Sequence, residues 1–241
     1  GRMEEPEVIV EKLKSFFTNT DKKKILAGKR VMVTAGPTYE SIDPVRFIGN
    51  YSSGKMGFAI VEELATRGAR VDLIAGPVHI ELSDDVLINR VDVKSARQMY
   101  EACCNSFPNC DAAIMAAAVS DYAPAGYHTS KIKRSGENLS IELVPNPDIA
   151  KEMGKLKRDG QILAGFALET DNEVANATQK LTSKNLDFIV LNSLAQAGAG
   201  FMTDTNRITI LNRENKKEEF ALKSKREVAA DIVNYLEKLM V

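Results

Sequence analysis

The stretch from Ala35 to Gly57, AGPTYESIDPVRFIGNYSSGKMG, is long, polar and free of helix or strand periodicity. Before it, Arg30 to Thr34 (RVMVT) has the β-branched, bounded pattern of a buried strand. After it, Phe58 to Arg67 (FAIVEELATR) reads as a helix with Ile60, Val61 and Leu64 on its inner side. A strand, an oversized loop and a helix in that order form the first unit of an open parallel α/β sheet, in which such loops lie at the carboxyl ends of the strands, where ligands bind. Ser52, Ser53 and Gly54 sit where the helix is to begin, so hydroxyls, an approachable backbone and unpaired N–H groups coincide with the positive end of the helix dipole. A phosphate fits such a start. Ser-Ser-Gly is also an ordinary cap and turn, and Arg46, Asn50 and Lys55 close by favour a site.

The alternation continues. Arg70 to Ala75 (RVDLIA) reads as a strand closed by Gly76-Pro77, Val86 to Val91 as a weaker edge strand, and Ser95 to Cys104 as a helix with Ala96, Met99 and Ala102 inward. Ala112 to Val119 (AAIMAAAV) is a buried strand and its exit. Ser120 to Asn138 reads as a mobile flap carrying Asp121 at the strand exit and Lys131-Ile132-Lys133-Arg134 further on; three charges in four residues are also usual for a solvated loop. A short strand at Ile141 to Val144 precedes a helix that starts at Asn146-Pro147 with Pro in its first turn. Ile162 to Leu168 is a buried strand, Asp171 to Lys184 a helix with Lys180 and Lys184 one turn apart on one face, and Phe188 to Leu191 the last core strand. These units predict an α/β fold: a doubly wound, Rossmann-like, mostly parallel sheet with helices on both faces.

Two segments flank that body. Residues 1–29 are expected to be a linker with one amphipathic helix, Val8 to Phe17, and residues 30–241 to be the main domain. Near 207–222, Arg207 to Leu211 and Glu219 to Leu222 flank a polar turn, the pattern of an appended antiparallel hairpin with Ile208, Ile210 and Phe220 on one apolar face. Two strands alone are marginal in water, so this face must pack on the parent sheet or on a second copy; an edge template with two-fold pairing favours a homodimer. Ser224 and Glu227 form a capping box for a final helix to Leu239.

Charge and composition exclude several functions. The net charge of -1 gives no reason to expect a nucleic-acid or membrane-surface binder, so any anion site is local. Cys103, Cys104 and Cys110 lack metal-like spacing and read as reduced core thiols of a cytoplasmic protein. His79 and His128 are isolated, which argues against a His-based metal site or triad. No apolar run approaches the ~20 residues of a membrane-spanning helix, and there is no signal-peptide pattern at the start.

Gly36, Gly49 and Gly54 cannot make G-x-G-x-x-G, and there is no Walker lysine motif, so dinucleotide and P-loop chemistry lose their usual support. A Ser-Ser-Gly helix start, Asp121, Lys131, and Lys180 with Lys184 can meet along the carboxyl edge and suit a nucleoside triphosphate with magnesium. A non-catalytic nucleotide-binding module and an NADPH-dependent reductase remain as alternatives.

Several separate motifs then carry a resemblance that spans nearly the whole chain: GPTYESIDPVRFIGNYSSGKMGFAI, AAAVSDY followed by KIKR, NPDI, GFALET, and QK leading to KNLDFIVLN. Together they closely resemble the phosphopantothenoylcysteine synthetases. GRMEEPEVIV resembles the junction after which the synthetase half begins in bacterial bifunctional proteins, and this favours an excised half over a cloning scar. The resemblance implies a ligase of coenzyme A biosynthesis. The carboxylate of 4'-phosphopantothenate attacks the α-phosphate of CTP, pyrophosphate leaves, and the amine of L-cysteine then displaces CMP from the acyl-cytidylate.

Residue by residue, the resemblance implies catalytic roles for Asn50 and Lys131 and substrate contacts for Arg46 and Asn50. It implies nucleotide contacts for Ser52, Ser53 and Gly54, for Met115, Ala116 and Ala117, and for Asp121 through ribose or metal. Asn146, Pro147, Asp148 and Ile149, then Phe166, Lys131, Lys180 and Lys184, complete that set. Mg²⁺ is expected mainly through the triphosphate, with Asp121 as its one candidate ligand on the chain. FMN is expected only on the decarboxylase half that precedes this one in bifunctional proteins. A homodimer is implied as well. SSGKMG favours CTP, with the ATP-using ligase as the alternative.

Overall fold

The structure, a computed structural model, describes residues 24–82, 85–134, 136, 138–169, 172–193 and 203–240, together with Pro6, Val8 and Val10. The helix expected over Val8 to Phe17 lies outside the described residues, except that Val8 and Val10 are helical. The chain runs Arg30–Ala35 (β1), Tyr39–Ser41 (β2), Phe47–Gly49 (β3), helix Lys55–Thr66 (α1), Arg70–Ala75 (β4), Ile88–Asp92 (β5) and helix Ala96–Ser106 (α2). It continues through Ala112–Met115 (β6), Tyr122–Pro124 (β7), Leu143–Pro145 (β8), helix Ile149–Leu156 (α3), Ile162–Glu169 (β9), helix Glu173–Ser183 (α4) and Phe188–Ser193 (β10). Thr205–Asn206 (β11), Ile208–Asn212 (β12), Lys217–Glu219 (β13), Lys223–Ser224 (β14) and helix Lys225–Met240 (α5) complete it.

Eight strands make one sheet in the order β13-β12-β10-β9-β6-β1-β4-β5. The six from β10 to β5 are parallel, while β12 and β13 add antiparallel at one edge. The chain leaves β1 towards β4 and β5, then returns to β6 on the other side, so the winding reverses beside β1. This is the expected doubly wound sheet, with its ligand crevice where β1 and β6 part.

Alternation along the strands divides the core into two layers. Val31, Val33 and Ala35 of β1 join Phe58, Ile60 and Val61 of α1 and Val228 and Ile232 of α5 in one buried cluster. Met32 belongs to the opposite cluster, with Met99 of α2, Met153 of α3 and Ala177 of α4. Each large side chain buried in this way contributes about 1.5–3 kcal/mol. Cys103 and Cys110 are packing thiols in the second layer, and burial is the main force raising both thiol pKa values.

The expected caps are present at α2, where Ser95 and Gln98 form a reciprocal box, and at α5, where Ser224 and Glu227 do so. At α3 the N-cap is Asp148, whose carboxylate accepts from the Lys151 N–H, so Pro147 precedes the helix instead of occupying its first turn.

Two features were not foreseen. The loop after β1 contains the β2–β3 hairpin, closed by stacking of Tyr39 on Phe47 with ring centroids 3.9 Å apart. The flap also contains order, since β7 pairs antiparallel with β8. The late hairpin requires a correction. β12 pairs with β10 of the same chain, and Ile208 and Ile210 are each 1% exposed inside the first core layer. Its apolar face is therefore covered by the parent sheet and α5, and the argument that it needs a second copy falls.

Candidate active site

Helix α1 begins three residues earlier than its apolar pattern indicated, and this places Ser52-Ser53-Gly54 directly at its start. Gly54 is the N-cap with φ 77°, a left-handed conformation that suits glycine, and no side chain among the described residues caps the helix. Ser52 Oγ instead accepts from the Gly54 N–H at 3.3 Å, within the turn. Gly57 holds the first turn tightly on the end of β1: a Cβ there would lie 2.6 Å from Ala35 Cβ. The helix start thus sits against the carboxyl edge of the sheet.

The exits of β1 and β6 run side by side beyond the sheet. The Ala118 N–H donates to the Gly36 carbonyl at 2.9 Å, and the Ser120 N–H donates to Thr38 Oγ1 at 3.0 Å. Asn50, at the end of the β2–β3 hairpin, donates its amide to the carbonyls of Ala118 (3.1 Å) and Val119 (3.3 Å). It therefore ties the first loop to the β6 exit. Asn146 works from the other side, donating to the Ser120 carbonyl at 2.9 Å.

Two adjoining cavities open on this edge. The first, about 280 Å³, is bounded by Met115, Ala117 and Asp121 from the β6 exit and by Asn146, Pro147, Asp148 and Ile149 at the start of α3. Phe166 of β9 with Lys180 and Lys184 of α4 completes it. Lys184 Nζ pairs with the Asp148 carboxylate at 2.9 Å, so in this arrangement the cap of α3 compensates that charge. The second cavity, about 150 Å³, holds Ser52, Ser53, Gly54 and Ala116 at the start of α1. Ala117, Ala118 and Phe166 border both. The expected nucleotide residues are thereby gathered from five distant segments onto one crevice, Lys131 excepted.

Lys131 and Arg46 lie elsewhere. Both line a basic hollow of about 610 Å³ with Lys133 and Arg134, outside the two cavities. The reason is a latch built on Asp43, whose side chain is fully buried. Arg46 Nε donates to its carboxylate at 3.0 Å, and the N–H groups of Val45, Arg46 and Ile132 donate to it at 2.8, 2.8 and 3.1 Å. The Arg46 guanidinium also donates to the Ile132 carbonyl at 2.8 Å, so both backbone groups of Ile132, next to Lys131, are held. Burial opposes the Asp43 charge, but these donors outweigh it and hold the carboxyl far below the usual carboxylate range. Asp43 was missed in the sequence; a carboxylate before Pro44 looks like a turn former.

No group of three or more His, Cys, Asp or Glu able to hold a metal occurs among the described residues. None of their helices is long and apolar enough to cross a membrane.

Comparison with known proteins agrees with this geometry. The family model for the DNA/pantothenate metabolism flavoprotein C-terminal domain matches residues 26–240. The chain is 46% identical over 234 residues to the coenzyme A biosynthesis bifunctional protein CoaBC of Haemophilus influenzae, covering 97% of this chain and 57% of that protein. It is 54% identical over 237 residues to a protein named cysteine/cysteine sulfinic acid decarboxylase from an unknown prokaryotic organism, covering 97% of this chain and 65% of that one. The chain thus spans less than two thirds of the length of these curated relatives. The crystal structure of the C-terminal domain of CoaBC is similar with a TM-score of 0.77 at 40% identity, covering 90% of this chain and 98% of that domain. The chain belongs to the DNA/pantothenate metabolism flavoprotein C-terminal domain family.

Proposed function

We propose that the chain is a ligase that joins 4'-phosphopantothenate to L-cysteine through an acyl-cytidylate made from CTP. The observation that carries this reading is the junction of the two cavities at Ala117, Ala118 and Phe166, beside the carbonyls that Asn50 holds. In this reading the first cavity receives the base and ribose, and the second, at the start of α1, receives phosphate oxygens. The similarity to CoaBC proteins supports coenzyme A biosynthesis as the setting.

In the first half-reaction the phosphopantothenate carboxylate oxygen bonds to the α-phosphorus of CTP, and the bond to the β-phosphate oxygen breaks, releasing pyrophosphate. In the second, the neutral amine of cysteine bonds to the acyl carbon, CMP leaves with the acyl oxygen, and the amine gives up one proton to solvent. Lys180 and Lys184 line the first cavity and would offset negative charge on a nucleotide there, and the start of α1, at the second, would supply backbone donors. Lys184 must exchange its Asp148 pair for the ligand to do so. Lys131 reaches the nucleotide only if the flap moves from the latched position. Mg²⁺ would be held chiefly by the phosphates with Asp121 and would supply charge neutralisation; among the described residues no group of three or more His, Cys, Asp or Glu forms a preformed cage for it.

A homodimer belongs to the same reading, with its interface away from residues 207–222. Phe47, Tyr122, Leu143 and Val144 on the small hairpins are among the exposed apolar residues available to a second copy. A partner domain, the FMN-bearing decarboxylase half, belongs to the same reading. The test is pyrophosphate release from CTP and from ATP, given phosphopantothenate and cysteine. CTP-dependent release coupled to amide formation is expected; release without phosphopantothenate, or none with either nucleotide, would overturn the proposal.

A further inference from the structure

The strand exit that carries Asp121 is held at every residue from Ala118 onward. The Asn50 amide takes the carbonyls of Ala118 and Val119. Ser120, 6% exposed, is held at three atoms: its N–H donates to Thr38 Oγ1 at 3.0 Å, its hydroxyl donates to the Thr38 carbonyl at 3.4 Å, and its carbonyl accepts from the Asn146 amide at 2.9 Å. The Asn146 N–H then donates to the Asp121 carbonyl at 2.8 Å. Asp121 itself is exposed on the wall of the first cavity, so the backbone beneath it decides where its carboxylate can reach.

Thr38 anchors this set of bonds and is fully buried. Its N–H donates to the Ala118 carbonyl at 3.3 Å, and Pro37 bridges in parallel to the same residue, so the β1 and β6 exits stay paired past the end of the sheet. The next two residues fasten Thr38 to the body of the domain. The Tyr39 N–H donates to the Lys94 carbonyl at 2.7 Å, and the buried Glu40 carboxylate accepts from the Ala96 N–H, at the start of α2, at 2.9 Å. A buried hydroxyl on so clamped a segment is a fixed acceptor. Without it the Ser120 N–H would be left unpaired in a place closed to bulk water, and the strand exit would have to shift to satisfy it.

Thr38 lines neither of the two cavities. We infer that it is a positioning residue for the nucleotide step: its hydroxyl fixes Ser120, and through Ser120 it fixes the Asp121 carboxylate. This rests on the ligase reading, in which Asp121 meets the ribose or the magnesium of CTP. Because that contact is already made to the bound nucleotide before reaction, loss of the mount is to appear in KM for CTP and not in KM for cysteine.

The experiment is a double-mutant cycle. Thr38→Val keeps the branched shape and removes the acceptor; KM for CTP in pyrophosphate release is expected to rise by roughly tenfold with KM for cysteine unchanged, and Thr38→Ser, which keeps the hydroxyl, is expected to restore it. In an Asp121→Ala background the same Thr38→Val change is expected to raise KM for CTP no further, since the group it positions is gone. A merely structural Thr38 would lower the active fraction, and so kcat, in both backgrounds alike; that result, or a full second rise in KM on top of Asp121→Ala, overturns the assignment. A pyrophosphate burst from CTP and phosphopantothenate before cysteine is added separates the two proposals: no burst in the wild type sinks the ligase reading, whereas a burst with KM for CTP unaltered in Thr38→Val sinks this one. Should Thr38→Val fail to fold, hydrogen exchange of the wild type decides. CTP at about ten times its Kd is expected to raise protection of the Ser120 amide by about tenfold, because opening at Thr38 then requires release of the nucleotide, and unchanged protection overturns the assignment.

Discussion

Ile210→Ala separates two physical accounts of the late hairpin. Ile210 is 1% exposed, pairs across to Val190 of β10, and shares a buried cluster with Val228, Ala229 and Ile232 of α5. Removing the side chain beyond Cβ from such a site costs about 2–5 kcal/mol, the spread reflecting how far the cavity can collapse. For a domain of this size each kcal/mol lowers the unfolding midpoint by about 2–4 °C, so a fall of about 4–20 °C is expected. Ile210→Val, which removes one methylene, should cost only about 0.5–1.5 kcal/mol. The assay is thermal and urea unfolding at widely separated protein concentrations. Because Ile210 is buried within its own chain, the loss between wild type and variant should be the same at every concentration. A variant that unfolds at the wild-type temperature but sediments as a smaller species would refute the reasoning, since the side chain would then be buried between copies.

Asn50→Asp removes the amide that holds the Ala118 and Val119 carbonyls and sets a carboxylate against them, so acyl-cytidylate should accumulate while amide formation stalls; mass spectrometry of the quenched reaction reads this, and full turnover removes Asn50 from the mechanism. Lys131→Gln should slow pyrophosphate release by on the order of a hundredfold, the scale of one lost charge contact to a transferring phosphoryl group; a change confined to KM for cysteine contradicts that role. Asp43→Asn should lower hydrogen-exchange protection of the Ile132 amide by roughly tenfold or more, and unchanged protection would show that the latch does not hold the flap. In the wild type the depressed Asp43 pKa gives the sign of the pH effect: the stability the latch adds is fully present above the unfolded carboxyl value of about 3.9 and is lost progressively as pH falls from there through the much lower folded value, so protection should be level from neutral to mildly acidic pH.

The strands at 30–35, 70–75 and 162–169 were legible because each is a short apolar run between turn residues, and the helices because their apolar faces recur at helical spacing. β2–β3 was not legible, since three-residue strands carry no period and the pairing depends on Tyr39 meeting Phe47 across a turn. The hairpin at 208–219 was visible as a pattern, but only tertiary placement reveals which surface covers Ile208 and Ile210. At the site, motif resemblance found the residues of the first cavity. It missed Asp43, because a carboxylate before Pro44 reads as a turn former; only the donors that converge on it from Val45, Arg46 and the distant Ile132 separate it from that role.

The pairing of β1 with β6 has a consequence in time. It brings together segments that are distant in the chain, as the Arg30 N–H donating to Asp111 across 81 positions illustrates. Closing a loop of that length precedes any reward from the contacts it makes, and sheets built in this way are slow to assemble. Helices such as α1 can form early from local contacts, but the crevice between the β1 and β6 exits exists only after the long closure. Recovery of nucleotide affinity in a refolding chain should therefore lag behind recovery of helical signal, and a chain arrested before β6 would carry the Ser-Ser-Gly helix start with nothing opposite it to complete a site.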